Sequence, residues 1–128
     1  MPVNHSIDTQ LPLVYTVFSG DVDNADFVEH LRSLRADPRF DSSMPELVDL
    51  RGVTAVSVTS AMIPASARWP LHSPHARRAV VAPSDLLYGL ARMYQSYRDD
   101  AGQAQLQIFR TLPPALEWLG LTEAPSPP

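Results

Sequence analysis

Histidine and carboxylate side chains are the groups in this sequence that could do acid–base or metal chemistry. His72-Ser73-Pro74-His75 is the one place where two histidines sit together. A metal site needs three or four ligands held by outer partners, and no third ligand is evident beside this pair. Arg68, Arg77 and Arg78 would repel a cation. The segment therefore reads as an exposed, flexible loop or, alternatively, as an anion site built from those arginines and histidines, with Asp85 counting against the latter. Asp49 ends an apolar run, which is where α/β ligand sites form. As a catalytic carboxylate it lacks a visible partner, and hydrogen bonds to N–H groups of the following turn are the competing role. Asp21, Asp23 and Asp26 lack the glycine and final glutamate of a calcium loop, so they read as charge at a helix N-terminus. Met62, Ile63, Trp69, Met93, Tyr94 and Tyr97 could line an apolar pocket beneath the 68–75 loop or form core plus one partner-binding face. No Gly-rich phosphate loop, nucleophile elbow or Ser/His/Asp arrangement can be read.

Composition narrows the chemistry further. The chain has 128 residues and no cysteine, which removes disulfides, thiolate chemistry and Cys-based zinc sites. All ten cationic residues are arginine, so a lysine Schiff base or lysine general base is also excluded. The formal net charge of −4 argues against a nucleic-acid partner. Hydrophobic content of 45% suits one globular domain with a core of its own. No stretch approaches the roughly 20 apolar residues of a membrane span, and Met1 to Gln10 has no secretory pattern. A cytoplasmic location is expected.

The elements that must position these groups follow from periodicity. Val3 to Ile7 and Leu11 to Phe18 read as strands, and Ser19-Gly20-Asp21 as a turn. Asp23 starts a helix in which Asp26 echoes a capping box, with Phe27, Leu31 and Leu34 as its buried stripe and Asp37-Pro38 as its end. Leu47 to Leu50 is a short strand closed by Arg51-Gly52, with Val53 to Val56 packing back on the sheet. Thr59 or Ser60 caps a short helix running to Ala67, and an irregular loop follows to His75. Ala79 to Ala82 has the unbroken apolar character of a strand buried on both faces. Pro83 stops it, Ser84 caps the next helix, and Leu86, Leu90, Met93 and Tyr97 form that helix's buried stripe, widened by Leu87, Ala91 and Tyr94. Asp99 to Gly102 is a turn. Gln105 to Arg110 is an outer strand, and Thr111 caps a last helix with Pro113 and Pro114 in its first turn and Gly120 at its end. Residues 122–128 form a disordered, Pro-rich tail. The β-β-α-β-α-β-α-β-α order implies an α/β fold. It has a mostly parallel four- to five-stranded sheet, an antiparallel first strand joined by hairpin, and about four helices.

The segment Leu47 to Ile63, L-V-D-L-R-G-V-T-A-V-S-V-T-S-A-M-I, resembles the signature region of STAS domains, the anti-sigma factor antagonist family. Asp49-Leu50, Gly52 and Val53 match the family's strand-ending motif, and Thr59 matches the second serine of the helix-opening motif. The overall β/α order is similar from Val3 to Leu121. The resemblance implies a non-catalytic regulatory or protein-interaction domain without a cofactor. Its contact surface would be the start of the second helix, around Ser57 to Ile63. The family's phospho-acceptor serine is replaced here by Val58, its aspartate by Ser57 and its glycine by Ser60. Thr59 and Ser60 are then either substitute acceptors at a helix N-terminus or plain caps. Asp49 completes the candidate regulatory set. The expected partner is a protein, with a homodimer possible. The rival reading is a module for a small apolar or lipid-like ligand near Trp69, and a third is an enzyme using Asp49 and a loop histidine.

Overall fold

The alternation of short apolar runs with amphipathic segments resolves, in the computed structural model, into nine elements. Residues 2–59, 61–69, 71–100 and 105–128 are described. The order is β1 (Val3–Asp8), β2 (Leu13–Asp23), α1 (Asn24–Ala36), β3 (Glu46–Ser57), α2 (Met62–Ala67), β4 (Arg78–Val81), α3 (Asp85–Asp100), β5 (Leu106–Phe109) and α4 (Leu112–Leu119). The strands form one sheet in the order β1-β2-β3-β4-β5. β1 is antiparallel to β2, and the other pairs are parallel. Three successive crossovers join neighbouring parallel strands, and α1, α2 and α3 lie on one face, where a shared crossover hand puts them. Phe18, Val48, Val80 and Leu87 form the core beneath them. The other face carries α4, with Leu13, Tyr15, Leu47, Ala79 and Val81 packed against Leu112, Leu116 and Leu119.

Local sequence explains the helix starts. Asp23 caps α1, accepting from the Asp26 N–H while the Asp26 carboxylate accepts from the Asp23 N–H, a full capping box. The Ser84 hydroxyl accepts from the Leu87 N–H at the start of α3. Gly120 ends α4 in the left-handed region at φ 77°.

Five expectations are corrected. Ser19-Gly20-Asp21 is not a turn: β2 runs on to Asp23, absorbing Gly20 (φ 67°) in a register irregularity. Arg51-Gly52 likewise does not close β3, which continues to Ser57 because the extended β2 pairs with it throughout. Gly52 is there for close approach, since a Cβ at that position would meet the Ser19 Cβ at 3.2 Å. The stripe of α3 is rotated. Leu87, Ala91 and Arg98 are buried, whereas Leu86, Met93 and Tyr97 are 61%, 43% and 38% exposed. Polar partners set that phase: Tyr94 accepts from Arg78, and Arg98 donates to the Ala67 and Trp69 carbonyls. Finally, Thr59 does not cap α2, whose N-cap is Ala61 with no side-chain bond. Ser60, with Ala101 and Gly102 of the expected turn, lies outside the described residues. Asp99 and Asp100 belong to α3.

Candidate functional site

Glu46 opens β3 and is fully buried under the α1–α3 face. In the sheet register it lies between Val14 of β2 and Arg78 of β4. Its carboxylate gathers partners from four separate elements. Thr16 of β2 donates from Oγ1 to Oε2 at 2.8 Å. Arg78 donates from Nε to Oε1 at 3.0 Å. His72, from the loop before β4, places Nε2 3.2 Å from Oε1, in ion-pair range but off the line of a hydrogen bond. His30 of α1 places Nε2 3.6 Å from Oε2. Arg78 continues outward, donating from Nη1 to the Tyr94 hydroxyl of α3 at 2.9 Å. An isolated carboxylate this deep would be expelled or neutralised. Here burial opposes ionisation, but attraction from His72 and Arg78 outweighs it and holds Glu46 well below the usual carboxylate range. His72 moves the other way. Its own burial, reinforced by the Arg78 charge, pushes its pKa down against the pull of Glu46. The arginine is therefore the lasting counter-charge, and Tyr94 and Glu46 outweigh the burial that opposes it.

Three members of this cluster line a cavity of about 110 Å³ between α1, α3 and the extended end of β3. Phe18, Val48 and Val80 of the sheet, Val53 and Val56 of β3, Ile63 of α2 and Leu87 of α3 make its walls apolar. His30, Arg78, Tyr94 and Ser66 bring polar groups to it, with the Ser66 hydroxyl donating to the Ile63 carbonyl. His30 is 7% exposed, and its Nδ1 is a buried nitrogen without a hydrogen-bond partner. The two nitrogens of His72 share that condition among the described residues, but His72 does not line the cavity.

The residues singled out from sequence are distributed as follows. Ile63 and Tyr94 line the cavity; Met62, Trp69, Met93 and Tyr97 do not. Trp69 instead borders a shallow groove with Val28, Leu31 and Arg35 of α1. His72 is buried rather than exposed, edge-on to Phe40, while His75 stays exposed. Arg77 and Arg78 diverge, Arg77 donating to the Trp118 carbonyl and lying over the Trp118 ring beside α4. The arginine–histidine anion cluster is therefore not assembled. Asp49 faces α4. It accepts from the Tyr15 hydroxyl at 2.9 Å, and from the Arg51 backbone N–H and guanidinium at 2.8–3.0 Å. The sheet thus separates Asp49 from His72. Ser57 and Thr59 are exposed, and Thr59 is gripped by Asn24 through two bonds of 3.1 Å. Among the described residues no group of three His, Cys, Asp or Glu could hold a metal, and no helix is long and apolar enough to cross a membrane.

Sequence reasoning passed over Glu46, His30 and Thr16, and placed Arg78 in a loop anion site instead of beside a carboxylate. One signal was present: Glu46 and Arg78 are charges of opposite sign, each immediately before an apolar run read as a buried strand. Adjacent parallel strands place such positions side by side.

With this geometry in view, one solved structure is informative. An uncharacterised protein of the DUF3478 family from Shewanella loihica PV-4, described as having a SpoIIAA-like fold, superposes with a TM-score of 0.58 over 91% of each chain at 15% identity. The chain has a SpoIIAA-like, STAS-like fold. It is one α/β domain with a five-stranded mixed sheet and four helices. No family model matches the sequence, and no curated protein does either.

Proposed function

We propose that this STAS-like domain is a non-catalytic regulatory module that engages a protein partner through the outer face of α3. The observation that carries this reading is the exposed row Leu86, Met93 and Tyr97, which lies on one side of a helix and continues inward through the half-buried Leu90. Large apolar side chains aligned on one exposed face mark an interaction surface more often than a solvated one. The candidate acid–base pairs do not favour catalysis: Asp49 is closed by Tyr15 and Arg51, and Glu46 by Thr16 and Arg78. The test is a photo-crosslinking residue at position 93, compared with one at the exposed Glu117 of α4, in living cells. A discrete adduct from position 93 alone supports the reading. Equal adducts from both, or none from either, overturn it.

A second reading, capture of a small apolar molecule, is favoured by a different observation. The cavity of about 110 Å³ under α3 has mostly apolar walls. Its volume suits one small ring rather than an acyl chain, since an engineered cavity of about 150 Å³ accepts benzene.

A further inference from the structure

We propose that two copies of this chain pair through the free edge of β3 beyond Asp49, strand against strand about a two-fold axis. The inference is independent of the α3 reading above and concerns a different surface.

The sheet leaves that edge open. β4 pairs with β3 only from Glu46 to Asp49, whereas β3 runs on to Ser57. Over residues 50–57, β2 is its one backbone partner among the described residues. The N–H and C=O groups on the other side are therefore left for water or for a second strand. Gly52, Thr54, Ala55 and Ser57 are exposed, so solvent reaches the segment. The other edges of the sheet carry features that discourage pairing with another chain. β5 is four residues long. β1 carries His5 and Asp8. The end of β2 carries Asp21, Asp23 and the irregularity at Gly20. Residues 52–58, G-V-T-A-V-S-V, have neither charge nor proline, and the β-branched Val53, Thr54, Val56 and Val58 suit an extended strand.

The occupant follows from what the edge presents. A strand added there gains main-chain hydrogen bonds. A second copy brings the same uncharged segment, so no like charges meet across the pair. A two-fold axis normal to the sheet sets the two segments antiparallel and closes the assembly at two chains. About Thr54, Arg51 of one copy then lies level with Ser57 of the other, beside which β2 places Asp23. The Arg51 side chain is 48% exposed, so the one cation of the edge faces the acidic end of its counterpart.

The test is the mass of the full chain by sedimentation equilibrium over a series of concentrations. The unaltered chain is expected to rise toward twice the chain mass. Thr54→Lys sets two cations face to face at the axis and should hold the chain at monomer mass. Met93→Glu, on the exposed face of α3, should leave the dimer intact. Should Thr54→Lys not fold, amide exchange of the unaltered chain decides. Alternate amides of residues 52–57 should slow by on the order of tenfold as concentration rises, while those of β5 do not change. A chain that stays monomeric at every concentration overturns the inference and leaves the α3 reading standing. A dimer lost with Met93→Glu but kept with Thr54→Lys also overturns it, and moves self-association to α3.

Discussion

Two buried carboxylates lie three residues apart on β3 and point to opposite faces of the sheet. Asp49 meets the α4 side, and its contacts are complete: Tyr15 across the strand pair and Arg51 two residues on. The Arg51 side chain is 48% exposed, so half of this pair remains in water. Glu46 meets the α1–α3 side, and nothing in its neighbourhood is local. Its partners are 30, 26 and 32 positions away at Thr16, His72 and Arg78, with His30 a further contact. The first knot is closed and structural. The second closes around Glu46 but leaves a buried nitrogen of His30 without a hydrogen-bond partner. A carboxylate satisfied by its own strand and the next is a fold element. One satisfied by four converging elements holds them together at one point.

The largest effect that would break this comparison is at Glu46. Glu46→Gln leaves Arg78 buried with no counter-charge and should cost about 3–5 kcal/mol of unfolding free energy in urea. A loss no greater than that of Asp49→Asn would mean the two knots are equivalent. Leu87→Ala should cost about 2–5 kcal/mol, while Leu86→Ala, one residue away, should stay within about 0.5 kcal/mol. Similar losses would put α3 back in the phase its hydrophobic stripe suggests. Asp49→Asn should cost about 1–3 kcal/mol, since the half-exposed Arg51 can rehydrate. The next effect is on pH dependence. His72 has a depressed pKa in the folded state, so the unfolded chain binds a proton that the native chain resists. Its contribution is present above the ordinary value of 6.5 and is lost as pH falls below it. The slope is at most about 1.4 kcal/mol per pH unit. Glu46, also depressed, adds its loss only below 4.5. His72→Gln should flatten the fall between those two values in a series of urea melts, and an unchanged slope would remove His72 from the account. The smallest effect is Thr59→Ala, which releases the exposed Asn24 pair and should cost below about 1 kcal/mol.

Much of the fold was legible because it is written in local patterns. Ala79 to Val81 had to be a doubly covered strand, and the caps at Asp23, Ser84 and Gly120 are read from single residues. Two features were not, for physical reasons. The length of β3 depends on β2 continuing past Gly20, a pairing between distant segments that no window of either strand contains. The phase of α3 depends on burying Tyr94 and Arg98 against polar partners, which outweighs a simple count of apolar residues on each side. The same division holds at the site. Asp49 was noticed because it ends an apolar run, and its Arg51 partner lies two residues on, whereas Tyr15 is 34 positions away. His72 was noticed as half of a histidine pair, but its burial was not, because Glu46 reaches it only after β3 and β4 align. His30 looked like an ordinary helical residue until α1 was laid over that carboxylate.

The measurement that bears most directly on the open knot is the ring nitrogen spectrum of His30, from ¹⁵N-labelled protein at mildly alkaline pH with no ligand added. The account predicts a fixed tautomer, with the proton on Nε2 beside Glu46 and a bare lone pair on Nδ1. A proton on Nδ1, or the averaged ring signal expected of the exposed His75, would contradict it.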